Sequence, residues 1–171
     1  MRNLTIYLAG AIRDGVDRDI EWREDVILAL RDLPVTILNP FGGTTFETET
    51  MRQVASGVLK TPKFIVRHDF WAVDRSDIVL FNFQALAEGY PNIGTLVEFG
   101  RATGSGALIY SVIAGDYKGH ENKGHFKGLH PFLAENSAVV FNVMDDCVDF
   151  LRRHVMVLSG AEPSYVPVKE G

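Results

Sequence analysis

Cysteine is almost absent: Cys147 is the only one in 171 residues, so no intrachain disulfide is possible. Asp145, Asp146 and Asp149 surround it and disfavour a thiolate, which leaves it as a small buried apolar residue rather than a nucleophile. Long hydrophobic runs are also missing, and none approaches the roughly eighteen apolar residues of a membrane helix. The apolar stretch near the amino end is short, stops at Gly10 and reads as a buried strand rather than a signal segment, so the cytoplasm is the expected location. Positive charge is scarce, with 17 Lys and Arg against 22 Asp and Glu and a net charge of −5. With no basic run beyond Arg152-Arg153-His154, a nucleic-acid polymer is not an expected partner, and small molecules fit better. The histidines at 68, 120, 125, 130 and 154 lack zinc-ligand spacing, so no metal is expected. Neither a P-loop nor a dinucleotide fingerprint is present, and Ser105 lies in a helix-ending Thr-Gly-Ser-Gly rather than a nucleophile elbow.

What is present is alternation. Five near-continuous apolar runs have strand length: Leu4 to Ala9, Val35 to Leu38, Asp77 to Phe83, Ala107 to Ile113 and Ala138 to Val143. Runs of that kind suit strands buried on both faces. Helical patterns separate them: Val16 to Leu33, with Ile20, Ile27, Leu30 and Leu33 on one stripe; Pro62 to Ser76, with Val66 and Val73; and Asn92 to Thr103. A last helix, Asp145 to His154, opens with carboxylates and ends in cations, as a helix dipole favours. The expected fold is a doubly wound α/β domain, a five-stranded parallel sheet with helices on both faces, flavodoxin-like or Rossmann-like. One domain over residues 1–171 with a tail at 155–171 is expected, and the long connections 42–60 and 114–128 read as binding loops or lids.

In such folds ligands bind beyond the carboxyl ends of the strands, which directs attention to the residues following each one. In Asn92-Ile-Gly-Thr-Leu-Val-Glu98, helical spacing places Thr95, Glu98 and Ala102 on one face, and the positive amino end of the helix favours an ionised Glu98. A carboxylate in a partly dry pocket has the chemistry to attack an anomeric carbon; a surface glutamate paired with Arg101 or Arg67 is the plainer alternative. In Phe64 to Val73, Asp69 shares a stripe with Val66 and Val73, so an acid lies on the expected buried face, where desolvation suits it to serve as a proton donor. Asp74 and Asp77 read as solvated and turn residues. Tyr7, on the opposite face of the first strand from Leu8, has a hydroxyl able to orient Glu98 or to serve as an ordinary core tyrosine. The turn from Gly10 through Ala11 and Arg13 offers backbone amides to a phosphate or sugar hydroxyl.

Ile6-Tyr7-Leu-Ala-Gly10, Trp22-Arg23-Glu24, Asn39-Pro40, Asp69 eight residues before Asp77, and Gly94-Thr-Leu-Val-Glu98-Phe-Gly, taken in order, resemble the nucleoside 2-deoxyribosyltransferase family over roughly residues 4 to 151. The resemblance implies a retaining exchange in which Glu98 attacks C1′ of a nucleoside, the base leaves, and the sugar passes to a second base, with no cofactor. It assigns Tyr7 to positioning Glu98 and Asp69 to the acid near the leaving base or sugar. Gly10, Ala11, Arg13, Asn39, Pro40, Asn92 and Gly94 would contact substrate. Phe41, Phe46 and Trp71 are candidates for base stacking. Family members usually carry Asp or Ser where this chain has Asn92. Gly128-Leu-His130-Pro resembles a segment that reaches a neighbouring subunit's site, which implies a homo-oligomer with shared sites and His130 near the 5′ end. An N-hydrolase acting on a nucleoside or its 5′-monophosphate is the first alternative, and a non-catalytic nucleotide-binding module the second.

Overall fold

The computed structural model describes residues 2–13, 16–40, 61–113 and 130–160. Strand β1 (Leu4–Gly10) is followed by α1 (Arg18–Leu30), β2 (Val35–Leu38), α2 (Pro62–Arg75), β3 (Ile78–Asn82), the short α3 (Gln84–Ala87), α4 (Ile93–Ala102), β4 (Leu108–Val112), the short α5 (Pro131–Asn136), β5 (Val139–Phe141) and α6 (Met144–Leu158). The strands form one parallel five-stranded sheet in the order β2-β1-β3-β4-β5. This is the doubly wound architecture expected from the alternation. The chain reverses its direction of travel across the sheet at β1, so the crevice beyond the carboxyl ends of β1 and β3 is the switch point where such folds bind ligands.

Strand alternation sorts the side chains into two layers. Leu4, Ile6, Leu8, Ile78, Leu80, Tyr110 and Val112 pack on one side with Trp22, Val26 and Leu30 of α1 and Cys147, Leu151 and Val155 of α6. Tyr7, Ala9, Val79, Phe81 and Ile109 pack on the other with Ala72 and Val73 of α2 and Phe99 and Ala102 of α4. Tyr7 therefore points into the α2–α4 layer. Cys147 is fully buried, and burial pushes its thiol up to about 12.

Several details depart from the sequence pattern. Of the expected α1 stripe, Leu30 is fully buried and Ile27 and Leu33 pack against the same core, but the buried face also takes Asp19, Trp22, Arg23 and Val26, and Ile20 lies outside it. In α2, Asp69 and Val73 are buried but Val66 is 50% exposed, so the predicted stripe breaks at its amino-terminal end. Helix α6 continues to Leu158, so its last turn carries no basic residue and the tail begins later than residue 155. Arg152 instead makes a bidentate pair with Asp32, at 2.7 and 2.8 Å, tying α6 to the end of α1. The short helices α3 and α5 were not anticipated. The two long connections read as lids lie outside the described residues. Among the described residues, no helix is long and apolar enough to cross a membrane.

Candidate functional site

A cavity of about 490 Å³, within the usual range for small-molecule sites, opens at the switch point. Its walls come from the turn after β1 (Gly10, Ala11, Ile12), Pro40 after β2, and α2 (Ile65, Val66, Asp69, Phe70). The run from Tyr90 through Thr95, with Val97 and Glu98 of α4, supplies the rest of the described lining. Gly10 allows a close approach here: a Cβ would stand 3.0 Å from Trp22 Cζ2 and 3.3 Å from Asn82 Cβ and the Asn82 carbonyl oxygen, so these neighbours would have to give way.

Tyr7 and Glu98, 91 residues apart, meet in this wall: the Tyr7 hydroxyl donates to Glu98 Oε1 at 2.7 Å, with both side chains buried. Strand alternation and helical spacing bring them together, since Tyr7 faces the α2–α4 layer and Glu98 lies on the buried face of α4 with Thr95 and Ala102. Asp69 is buried on the adjoining helix, with Oδ1 3.2 Å from His68 Nδ1. Arg101 pairs with Asp74 rather than with Glu98.

Burial raises Glu98 from its ordinary 4.5 to about 7; the nearby Asp69 charge adds to the rise, while the Tyr7 hydrogen bond and the Arg23 charge oppose it. The helix-end field expected to favour ionisation is therefore outweighed by desolvation. Burial also raises Tyr7 well above its usual value, helped by the negative charges of Glu98 and Asp69, so its hydroxyl stays a donor. The stability consequence has a definite sign. A folded-state value above the unfolded one costs nothing below about pH 4.5, and the penalty grows until pH passes about 7. Glu98→Gln cannot ionise and is expected to be more stable than the parent at about pH 8, by an amount on the order of 3 kcal/mol, and nearly equal at about pH 4.5. Urea midpoints at the two pH values check this; an equal difference at both would contradict it.

Arg23 is the principal residue that sequence reasoning did not place at the site. Its guanidinium is fully buried and donates to the carbonyls of Leu8 (3.3 Å), Gly10 (2.9 Å) and Ala11 (3.4 Å), and to that of Asp19. It thereby satisfies carbonyls at the end of β1 that have no further ladder partner, while its face lies 4.5 Å over the Trp22 ring. Its charge also acts on Tyr7 and Glu98.

Residues 3–115 match the family described as nucleoside 2-deoxyribosyltransferase like. The chain belongs to that family. No curated protein matches it by sequence. Among solved structures it is similar to a conserved protein from Enterococcus faecalis V583, at 14% identity and a TM-score of 0.64 over 90% of this chain and 99% of the other. It is also similar to a 2-desoxiribosyltransferase from Leishmania mexicana, at 14% identity and a TM-score of 0.59 over 88% and 98%. A CMP N-glycosidase from Clostridium botulinum is similar at 18% identity and a TM-score of 0.52 over 86% and 97%. At such identities the likeness concerns the fold.

For a nucleoside 2-deoxyribosyltransferase-like chain, the residues singled out from the sequence divide into three groups. Gly10, Ala11, Pro40, Asp69, Asn92, Gly94 and Glu98 line the cavity, with Tyr7 bonded behind Glu98. Four others do not line it. Arg13 is held by Asp19 through both carboxylate oxygens and by Glu88 at 2.8 Å. Asn39 is buried just behind Pro40. Trp71 is 47% exposed and packs under Arg75. His130 caps α5 and stacks on Phe132. Phe41 and Phe46 lie outside the described residues. Among the described residues, the aromatic walls are Phe70 and Tyr90. Phe70 was within reach of the sequence, because it directly follows an acid placed on the buried face.

Proposed function

We propose that the protein cleaves the N-glycosidic bond of a (deoxy)nucleoside through a covalent glycosyl-Glu98 intermediate and transfers the sugar to another nucleobase. The observation that carries this reading is the buried 2.7 Å hydrogen bond from Tyr7 to Glu98 Oε1 in the wall of a cavity that also holds Asp69. With Oε1 held by Tyr7, Oε2 is the oxygen left to attack. It bonds to C1′ as the C1′–N bond breaks, and the departing base nitrogen takes a proton from Asp69. A second base then attacks C1′ from the opposite side, returns a proton to Asp69 and frees Glu98, so that two inversions give retention. Phe70 and Tyr90 supply apolar faces for a base. A homo-oligomer in which His130 reaches a neighbouring subunit's site belongs to the same reading.

Chromatography of each deoxynucleoside incubated with and without a second free base tests it. A new nucleoside formed only when the second base is added supports transfer. Free sugar with no new nucleoside would make water the acceptor and the protein an N-hydrolase, and no base release from any nucleoside would overturn the reading.

Because Glu98 must be ionised to attack, kcat/KM should rise with pH through an apparent pKa of about 7. Tyr7→Phe removes the hydrogen bond that favours the charged form, so this limb should move to higher pH, with turnover lower at neutral pH. A purely structural tyrosine would leave the position of the limb unchanged.

A further inference from the structure

Arg23, in the second turn of α1, is fully buried, and a buried guanidinium is costly unless its hydrogen bonds are made. Four main-chain carbonyls accept from it: that of Asp19 on its own helix, and those of Leu8, Gly10 and Ala11 on β1 and the turn beyond. Leu8 directly follows Tyr7, and Gly10 and Ala11 line the cavity. The same turn is also gripped by its donors, since Asp19 Oδ2 accepts from the Arg13 main-chain N–H at 3.0 Å and the Asp19 carboxylate holds the Arg13 guanidinium. Trp22, whose ring lies under the Arg23 guanidinium, fills the space against Gly10. The start of α1 therefore fixes the segment that carries Tyr7 into the cavity wall.

We propose that Arg23 is a positioning residue for the glycosidic step, holding Tyr7 and the turn after β1 in register with Glu98 and supplying the positive charge that balances the carboxylates there. The assignment rests on the N-glycosidic reading of the same cavity and adds a residue to its machinery. The charged and titratable groups that act on the guanidinium are Tyr7 on β1, Glu98 on α4, Asp69 on α2 and Asp19 on its own helix. Burial lowers Arg23 to about 10, so it remains a cation at neutral pH. Its charge opposes the rise of Glu98, to which the Asp69 charge adds. A lysine at this position would keep the charge but not the planar fork that reaches several carbonyls at once. A glutamine would keep an amide donor and lose the charge.

Arg23→Lys and Arg23→Gln on the full chain separate the two contributions. Both should lower kcat for base release by about tenfold to a hundredfold, because a displacement of the turn by roughly 1 Å is enough to cost that much. In Arg23→Lys the acidic limb of kcat/KM should stay at its parent position. In Arg23→Gln it should move to higher pH, since the carboxylate that must ionise has lost its counter-charge. Urea midpoints give a readout that needs no turnover: between about pH 4.5 and about pH 9, the stability gained by Glu98→Gln should grow more in an Arg23→Gln background than in the parent. An unmoved limb in Arg23→Gln, or parent-level kcat in both folded variants, would overturn the assignment. If Arg23→Gln does not fold, Arg23→Lys decides through kcat: a loss with the fold intact supports the role, and parent-level turnover overturns it. Absence of base release by the parent protein would count against the N-glycosidic reading alone, since the midpoints still decide whether Arg23 acts on Glu98; an equal gain from Glu98→Gln in both backgrounds would show that it does not.

Discussion

Glu98→Ala should lose base release by more than about a thousandfold while remaining folded, because among the described residues no other group at the cavity is placed to form the proposed covalent intermediate in its stead. The Tyr7 hydroxyl donates to this carboxylate and is held well above its usual pKa, so it cannot take over as a nucleophile near neutral pH. Asp69 lies on the adjoining helix, on the wall assigned to the leaving base. Truncation also removes a group whose ionisation burial opposes, so the folded state should be no less stable at about pH 8 than that of the parent. Turnover near the parent level, with unfolding midpoints showing an intact fold, would return Glu98 to a structural role.

Asp69→Asn should slow release of poor leaving bases by about a hundredfold or more and of activated bases much less. An acid matters most where the departing nitrogen needs a proton in the transition state. Equal losses for good and poor leaving bases would place Asp69 on the sugar instead of the base.

The strands were legible because both faces of this parallel sheet are covered, so its strands appear as continuous apolar runs. The Tyr7–Glu98 pairing was legible for a related reason: two-residue alternation and helical spacing each fix a direction, and the two directions converge on one layer. The face of α1 was legible only in part, through Ile27, Leu30 and Leu33, because Arg23, a charged side chain, occupies its buried stripe and satisfies carbonyls at the end of β1. Hydropathy counts such a residue as surface. Trp71, one of the stacking candidates, does not line the cavity, and Phe70 does: each helical residue turns about 100° from the last, and the residue adjoining Asp69 on the cavity side is Phe70. Arg13 was a substrate contact only by resemblance; Asp19 and Glu88 hold its guanidinium, a pairing that no strand or helix period marks in the sequence. The short helices α3 and α5, of 4 and 6 residues, hold too few turns for periodicity to register.

The central claim is the covalent glycosyl-Glu98 intermediate, and mass spectrometry of protein quenched during turnover of a deoxynucleoside tests it most directly. The account predicts an increase equal to one deoxypentosyl group, carried on the peptide containing Glu98, appearing as base is released and lost when a second base is added. Rapid base release with no increase in mass, or an increase carried on a different residue, would contradict it.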